Sequence, residues 1–326
     1  MILRKFIIFL ILVLLSDFAL SAADFNNGNI RLSIDEKKGS ISLYYMPNSK
    51  SKRYEPLFYS REPKSSYISV SLDSKIYRLD QSGYFRTRTE RIDGNPVIVY
   101  ESPDVIIREI FTPVKTVSSS DTNGFNITIV MQNKGDRPIS AGLRFLIDTH
   151  LGEGRKSIPI FTDNQSIEKE TIIEGSSGET YWISRGSKVS LMGSIVNPFD
   201  RSAKAPDFIH IANWRRLNYT HWKLSFSKDR SFSIFPYSVR DSAVCYYYEP
   251  AMLESGKSFT YSILLSTEDT AMYDPSLVTK NYDDTELQML YRMKKTLEQF
   301  IAGDIILYED DLDEIENSID SRKTRR

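Results

Sequence analysis

The sequence predicts a mainly β protein, a large antiparallel β-sandwich with a short helical appendage at its C-terminus. Three observations carry this. From about residue 29 to 267, apolar residues recur with period two, the spacing of a strand with one face buried. Aromatic residues make up 12% of the chain, with 19 Tyr and 17 Phe, and such side chains favour pleated surfaces. Near Asp283 the period changes to that of a helix.

The elements follow in order. Arg4 and Lys5 precede ten uninterrupted apolar residues, 6–15, and small residues follow at Ala19, Ser21, Ala22 and Ala23. A basic, then apolar, then small layout is that of a secretory signal peptide, cleaved after Ser21 or Ala23. The apolar run falls short of the ~20 residues that span a bilayer. An uncleaved N-terminal anchor is the alternative. Strands are expected at 30–35 and 41–44, either side of the Lys37-Lys38-Gly39 turn. Further strands are expected at 67–72, 76–79, 97–101, 105–111, 125–132 and 139–148. Asn133-Lys134-Gly135-Asp136 is a hairpin turn between the last two. The series continues at 180–184, 188–196, 222–227, 242–248 and 258–266, with Leu253-Glu254-Ser255-Gly256 turning into the final strand. So many short strands imply two packed sheets.

Leu287, Leu290, Met293, Leu297, Phe300 and Ile301 form a helical stripe. Asp283, Asp284 and Thr285 suit its N-terminus and Gly303 its stop. A thinner stripe, Tyr308, Leu312, Ile315 and Ile319, follows among acidic residues and ends in Ser-Arg-Lys-Thr-Arg-Arg. The expected organisation is therefore a signal peptide at 1–23, a β-sandwich domain at 24–277 and a C-terminal helical segment with a basic tail at 278–326.

Composition excludes several functions. Lys and Arg number 42 against 43 Asp and Glu, a net charge of -1, so no nucleic-acid partner is expected. The single Cys245 excludes an intramolecular disulfide and any zinc or iron–sulfur site built on several cysteines. In its Ala-Val-Cys-Tyr-Tyr-Tyr run it is expected to be a small core residue. With three histidines, His150, His210 and His221, no metal site and no cofactor are expected. The chain has no nucleophile elbow, no His-Glu-x-x-His and no dinucleotide fingerprint.

Two polar clusters remain. Asp148-Thr-His150-Leu-Gly-Glu153-Gly-Arg155 closes a strand; a histidine, two carboxylates and an arginine there could make an acid–base pair or hold an ion. The bland reading is a capped strand end. The second cluster comprises Asp207, His210, Trp214, Arg215, Arg216, Tyr219, His221 and Trp222. Flat aromatic faces beside polar groups suit sugars, whose C–H faces stack and whose hydroxyls need directional partners. The bland reading is that the aromatics fill a core. Candidate catalytic residues are Asp148, His150, Glu153 and His210. Candidate ligand-binding residues are Arg155, Asp207, Trp214, Arg215 and Trp222. The two clusters are expected to meet at one end or face of the sandwich.

The stretches 126–136 and 142–152, then 206–209, 235–250 and 253–256, resemble a group of exported bacterial β-proteins related to the galactose-mutarotase-like supersandwich. The resemblance implies a supersandwich-like fold. It implies no activity, because fold alone does not transfer function. The expected function is thus an exported, non-enzymatic binding or structural protein of the periplasm or cell envelope. Its partner would be a glycan or an envelope protein, and no stable membrane span is expected once the signal is removed. The alternative is a carbohydrate-active enzyme, an aldose epimerase or lyase, using a His/carboxylate pair.

Overall fold

A computed structural model of the chain describes residues 22–47, 52–61, 64–115, 122–149, 151, 160–200, 203–220, 222–234 and 241–267. The expected signal segment up to residue 21, the helical appendage, His150, Glu153, Arg155 and His221 lie outside the described residues.

The described chain is mostly strand, arranged in three antiparallel sheets. A four-stranded sheet is formed by β1 (Ala22–Asn27), β2 (Ile30–Asp35), β3 (Ile41–Tyr45) and β4 (Glu55–Pro56). The six-stranded sheet contains β5 (Tyr67–Leu72), β6 (Lys75–Arg78), β11 (Ile139–Asp148), β14 (Thr171–Glu174), β17 (Phe208–Asn213) and β18 (Ser242–Leu253). Its order is β14-β17-β18-β11-β5-β6. The nine-stranded sheet contains β7 (Arg86–Ile92), β8 (Asn95–Glu101), β9 (Val105–Lys115), β10 (Thr122–Asn133), β12 (Ile160–Thr162), β13 (Ser166–Ile167), β15 (Tyr181–Arg185), β16 (Ser190–Ser194) and β19 (Ser258–Ser266). Its order is β13-β12-β15-β16-β19-β10-β9-β8-β7.

The nine-stranded sheet faces the other two across one continuous core. Ile127, Ile129 and Met131 of β10 meet Leu143, Phe145 and Ile147 of β11, with Ile30, Leu32 and Ile34 of β2 beside them. Trp182 is the largest side chain in this layer; its Nε1 donates to Tyr246 Oη at 2.7 Å. Gly193 lies against the Trp182 ring, where a Cβ would come within 2.5 Å of it. At Gly39 φ is +74°, and a Cβ would meet the Tyr100 hydroxyl at 2.5 Å; the turn therefore demands glycine twice over.

Strands expected at 30–35, 67–72, 139–148 and 258–266 coincide with β2, β5, β11 and β19. Residues 222–227 are not a strand but part of a covering loop. Residues 214–219, where no helix was expected, form one short helix, α1 (Trp214–Tyr219). β7 and β17 were not foreseen either. No helix among the described residues is long and apolar enough to cross a membrane.

Candidate functional site

The face of the six-stranded sheet that points away from the central core carries most of the chemistry-bearing residues. Strand alternation places them in cross-strand rows. One row is Tyr67, Leu146, Cys245, His210 and Ile172. The next is Ser69, Arg144, Tyr247, Phe208 and Glu174, and a third is Asp148, Ala243 and Ala212. Residues 214–220 and 222–227 lie over this face: Leu217, Trp214 and Leu224 join Tyr67, Leu146, Phe208, Cys245 and Tyr247 in a second apolar cluster. Both faces of the sheet are therefore buried, which is why β18 runs apolar through Val-Cys-Tyr-Tyr-Tyr without alternating.

Two buried charged groups hold the covering segment down. Arg144 donates through Nη2 to Leu217 O at 2.6 Å, through Nη1 to Thr220 O at 2.9 Å, and through Nε to Cys245 Sγ at 3.1 Å. It thus meets the carbonyl end of α1, where a cation is favoured. Its guanidinium also lies over the Tyr247 ring, 5.6 Å from the centroid. At the other end of α1, Asn213 Oδ1 accepts from the amides of Arg215 and Arg216 at 3.0 and 3.4 Å. That is an N-cap, and the Asn213 Nδ2 also ties down Phe232 O.

The second anchor is Glu170. Its Oε1 accepts from the Ser227 amide at 2.8 Å and lies 3.1 Å from His210 Nε2; its Oε2 accepts from Arg216 Nη1. His210 is fully buried, and burial pushes its pKa below the usual histidine value, with Arg216 adding to the fall and Glu170 opposing it. A neutral ring then carries its proton on Nε2, donating to Glu170, and leaves Nδ1 as a buried atom without a partner. Burial likewise pushes the Cys245 thiol up despite Arg144 beside it, so it is not a reactive thiolate.

Asp148 and Trp214 share one end of the sheet. The Asp148 amide donates to Ser66 Oγ at 3.0 Å, and the Trp214 indole donates to the neighbouring Ser65 O at 3.0 Å. Asp207 sits at the opposite end of β17, where its Oδ2 accepts from Glu249 N at 2.7 Å and Lys204 Nζ at 3.0 Å. The described part of the first cluster and Trp214 thus come together, and Asp207 stands apart from them. Trp222 packs edge-on against Tyr247, 6.4 Å between centroids, and its carbonyl accepts from Tyr247 Oη. The two tryptophans therefore brace the covering segment from below.

Solvent meets different aromatics. Tyr219 is 68% exposed and Phe226 47%. The Arg215 guanidinium is held over the Tyr219 ring, 5.6 Å from its centroid, and Phe226 lies 6.2 Å from the His210 ring. The chemistry this arrangement supports is stacking plus a directed cation. Among the described residues, no group of three His, Cys, Asp or Glu could hold a metal ion.

No protein-family model matches the chain, and no curated protein matches its sequence. Among solved structures it is similar to a galactose mutarotase related enzyme from Lactobacillus acidophilus, at 10% identity and a TM-score of 0.45, covering 76% of this chain and 98% of that one. It is also similar to a galactose mutarotase-like protein from Lactobacillus casei ATCC 334, at 8% identity and a TM-score of 0.46, covering 76% and 99%. A polysaccharide lyase is similar at 13% identity and a TM-score of 0.43, over 77% of this chain but 34% of the lyase. These likenesses bring neither a reaction nor a ligand to this chain.

Proposed function

We propose that the chain is an exported, non-catalytic binding module that takes a glycan on the surface of residues 214–226. The observation that carries this is Tyr219: a large aromatic left mostly in water on a helix that is otherwise pinned at both ends, with Arg215 poised over its ring. An exposed ring on a preorganised support loses little freedom when a sugar stacks on it. Arg215 would give directional hydrogen bonds to a hydroxyl or carboxylate at the rim, and Trp214 and Trp222 hold the platform rigid. The histidine within this region, His210, is buried under the platform and engaged with Glu170, a poor place for an acid–base group that must touch substrate. Export is supported by the basic, apolar and small layout of residues 4–23.

Calorimetric titration of the mature chain with neutral and uronate-containing oligosaccharides tests the reading. Tyr219→Ala should weaken the best ligand at least tenfold while leaving the thermal midpoint in place. Absence of glycan binding, or binding that ignores Tyr219, overturns the glycan assignment. Chemical turnover of the bound sugar overturns the non-catalytic one.

A further inference from the structure

Resting on residues 214–226 as a glycan platform, we infer that its ligand is an acidic glycan, a chain bearing carboxylate or sulfate groups beside the sugar that stacks. Residues 214–230 hold Arg215, Arg216, Lys223, Lys228 and Arg230 against a single acid, Asp229, in a chain whose net charge is -1. Positive charge is thus concentrated on the segment that carries the exposed rings of Tyr219 and Phe226.

Which of these cations already face an acid decides what they can do for a ligand. Arg216 is bound to the buried carboxylate of Glu170, and Lys223 pairs with Glu249 at 3.2 Å. Asp229 pairs with Lys169 at 3.0 Å. Its chain neighbours Lys228 and Arg230, both exposed, have no ion pair among the described residues. Arg215 stands over the Tyr219 ring and interacts with Asp241, a half-buried acid whose pKa burial raises and Arg215 lowers.

The basic turn is tied in place. The Arg230 amide closes it on Ser227 O at 3.2 Å, and the Glu170 amide donates to Arg230 O at 2.8 Å. The Glu170 carboxylate accepts from the Ser227 amide, also at 2.8 Å, and Arg216 Nη2 reaches Ser225 O at 3.3 Å. One carboxylate therefore holds Arg216, the neighbour of Arg215, and Ser227, the neighbour of Lys228. Arg215 stands on one side of this anchor with Tyr219, and Lys228 and Arg230 on the other with Phe226. Like charges held together repel; an anionic chain relieves that repulsion and a neutral sugar does not. Each exposed ion pair is weak, so the gain comes from several groups along one ligand and is sensitive to salt.

An array of neutral, uronate-bearing and sulfated oligosaccharides, followed by calorimetry on the best binder, tests this with the mature full-length chain. Acidic members should bind in preference to neutral ones. The best of them should lose at least tenfold in affinity when its carboxylates are reduced to alcohols or its sulfates are removed, which also tells the two acids apart. Its affinity should fall at least fivefold between about 50 and about 500 mM salt. Lys228→Gln combined with Arg230→Gln should weaken the acidic form at least fivefold and leave the neutralised form unchanged. Lys75→Gln combined with Lys257→Gln, exposed elsewhere on the surface, should change neither. An equal loss in that second pair assigns the attraction to overall charge and overturns the inference. Equal affinity for the acidic and neutralised forms, with Tyr219→Ala weakening both, overturns the acidic ligand and keeps the glycan platform. Polyglutamate binding as tightly as the acidic sugar, or no array member binding at all, overturns the platform and the inference together.

Discussion

Glu109 is a carboxyl in the wrong medium. It faces the core from β9, buried between Tyr100, Asp80, Ser40 and Phe145, and burial raises its pKa to about 8. Asp80 is already paired with Arg78 at 2.6 Å, so no cation is left over for Glu109 within this cavity's lining. The Tyr100 hydroxyl gives its proton to Gly39 O at 2.9 Å and lies 3.4 Å from Glu109 Oε2, a geometry that suits a protonated carboxyl donating to the phenol oxygen. The sign of the pH effect follows. The folded state holds the proton more tightly than the unfolded chain, so this contribution to stability is full below pH 4.5 and is lost as pH rises towards 8. The loss is at most about 1.4 kcal/mol per pH unit in that window. Glu109→Gln, which cannot ionise, should raise the thermal midpoint relative to the native chain at pH 8 and do so much less at pH 4.5. Equal shifts at both values in calorimetric melts would show that Glu109 is not protonated in the fold. None of this was legible in the sequence, where Arg108-Glu109 sits mid-strand like any polar pair. His210 was singled out in sequence but its partner Glu170 was not, because forty residues separate them and Lys169-Glu170-Thr171 has the composition of an ordinary turn.

At the scale of elements, the strands that were legible are those with one wet face or clear turns, such as β2 with its alternation and β11 with the Asn-Lys-Gly-Asp turn before it. β7, Arg-Thr-Arg-Thr-Glu-Arg-Ile, has hardly an apolar residue to betray it and is held by its pairing with β8. The helix α1 was hidden for another reason: six residues make too few turns for a stripe, and such a helix is not stable alone. It persists because Asn213 and Arg144 satisfy its two ends. A signal for Arg144 was available. Leu146 and Tyr67 on the same face are apolar, so that face was dry, and an arginine among them had to be bonded. Two variants separate these anchors. Asn213→Ala should cost about 1 kcal/mol of stability through the lost cap. Arg144→Met, which keeps the packing but strands the Leu217 and Thr220 carbonyls, should cost about 2 kcal/mol or more. Hydrogen exchange in residues 214–220 should accelerate in both. If Arg144→Met leaves stability and exchange unchanged, the arginine is not what holds the covering segment.

Across the whole molecule, strands far apart in sequence are neighbours: β19 pairs with β10, and β18 with β11. Neither half of the described chain can complete the six-stranded or the nine-stranded sheet alone, so the fold is expected to melt as one unit. The four-stranded sheet shares in this, since Ile30, Leu32, Ile34, Ile41 and Leu43 belong to the central core and Arg91 of β7 lies over the Phe25 ring at 4.7 Å. That arrangement bears on where the proposed export signal would be cut. β1 pairs along its whole length with β2, from Ala22↔Asp35 and Ala23↔Ile34 to Asn27↔Ile30. Of the two sites the sequence offers, cleavage after Ser21 leaves β1 whole, whereas cleavage after Ala23 removes its first two pairings and leaves part of β2 as an unpaired edge, exposed to strand addition by another chain. Folding therefore favours a mature chain that begins at Ala22, two residues ahead of Asp24. Sequencing the N-terminus of protein recovered from its native envelope checks this. Ala22 is the expected first residue, and Asp24 would mean that the peptidase preference outweighs two strand pairings. Recovery of Met1 would replace cleavage with an anchored form, and a start beyond Asn27 would remove β1 altogether and contradict its place in the folded protein.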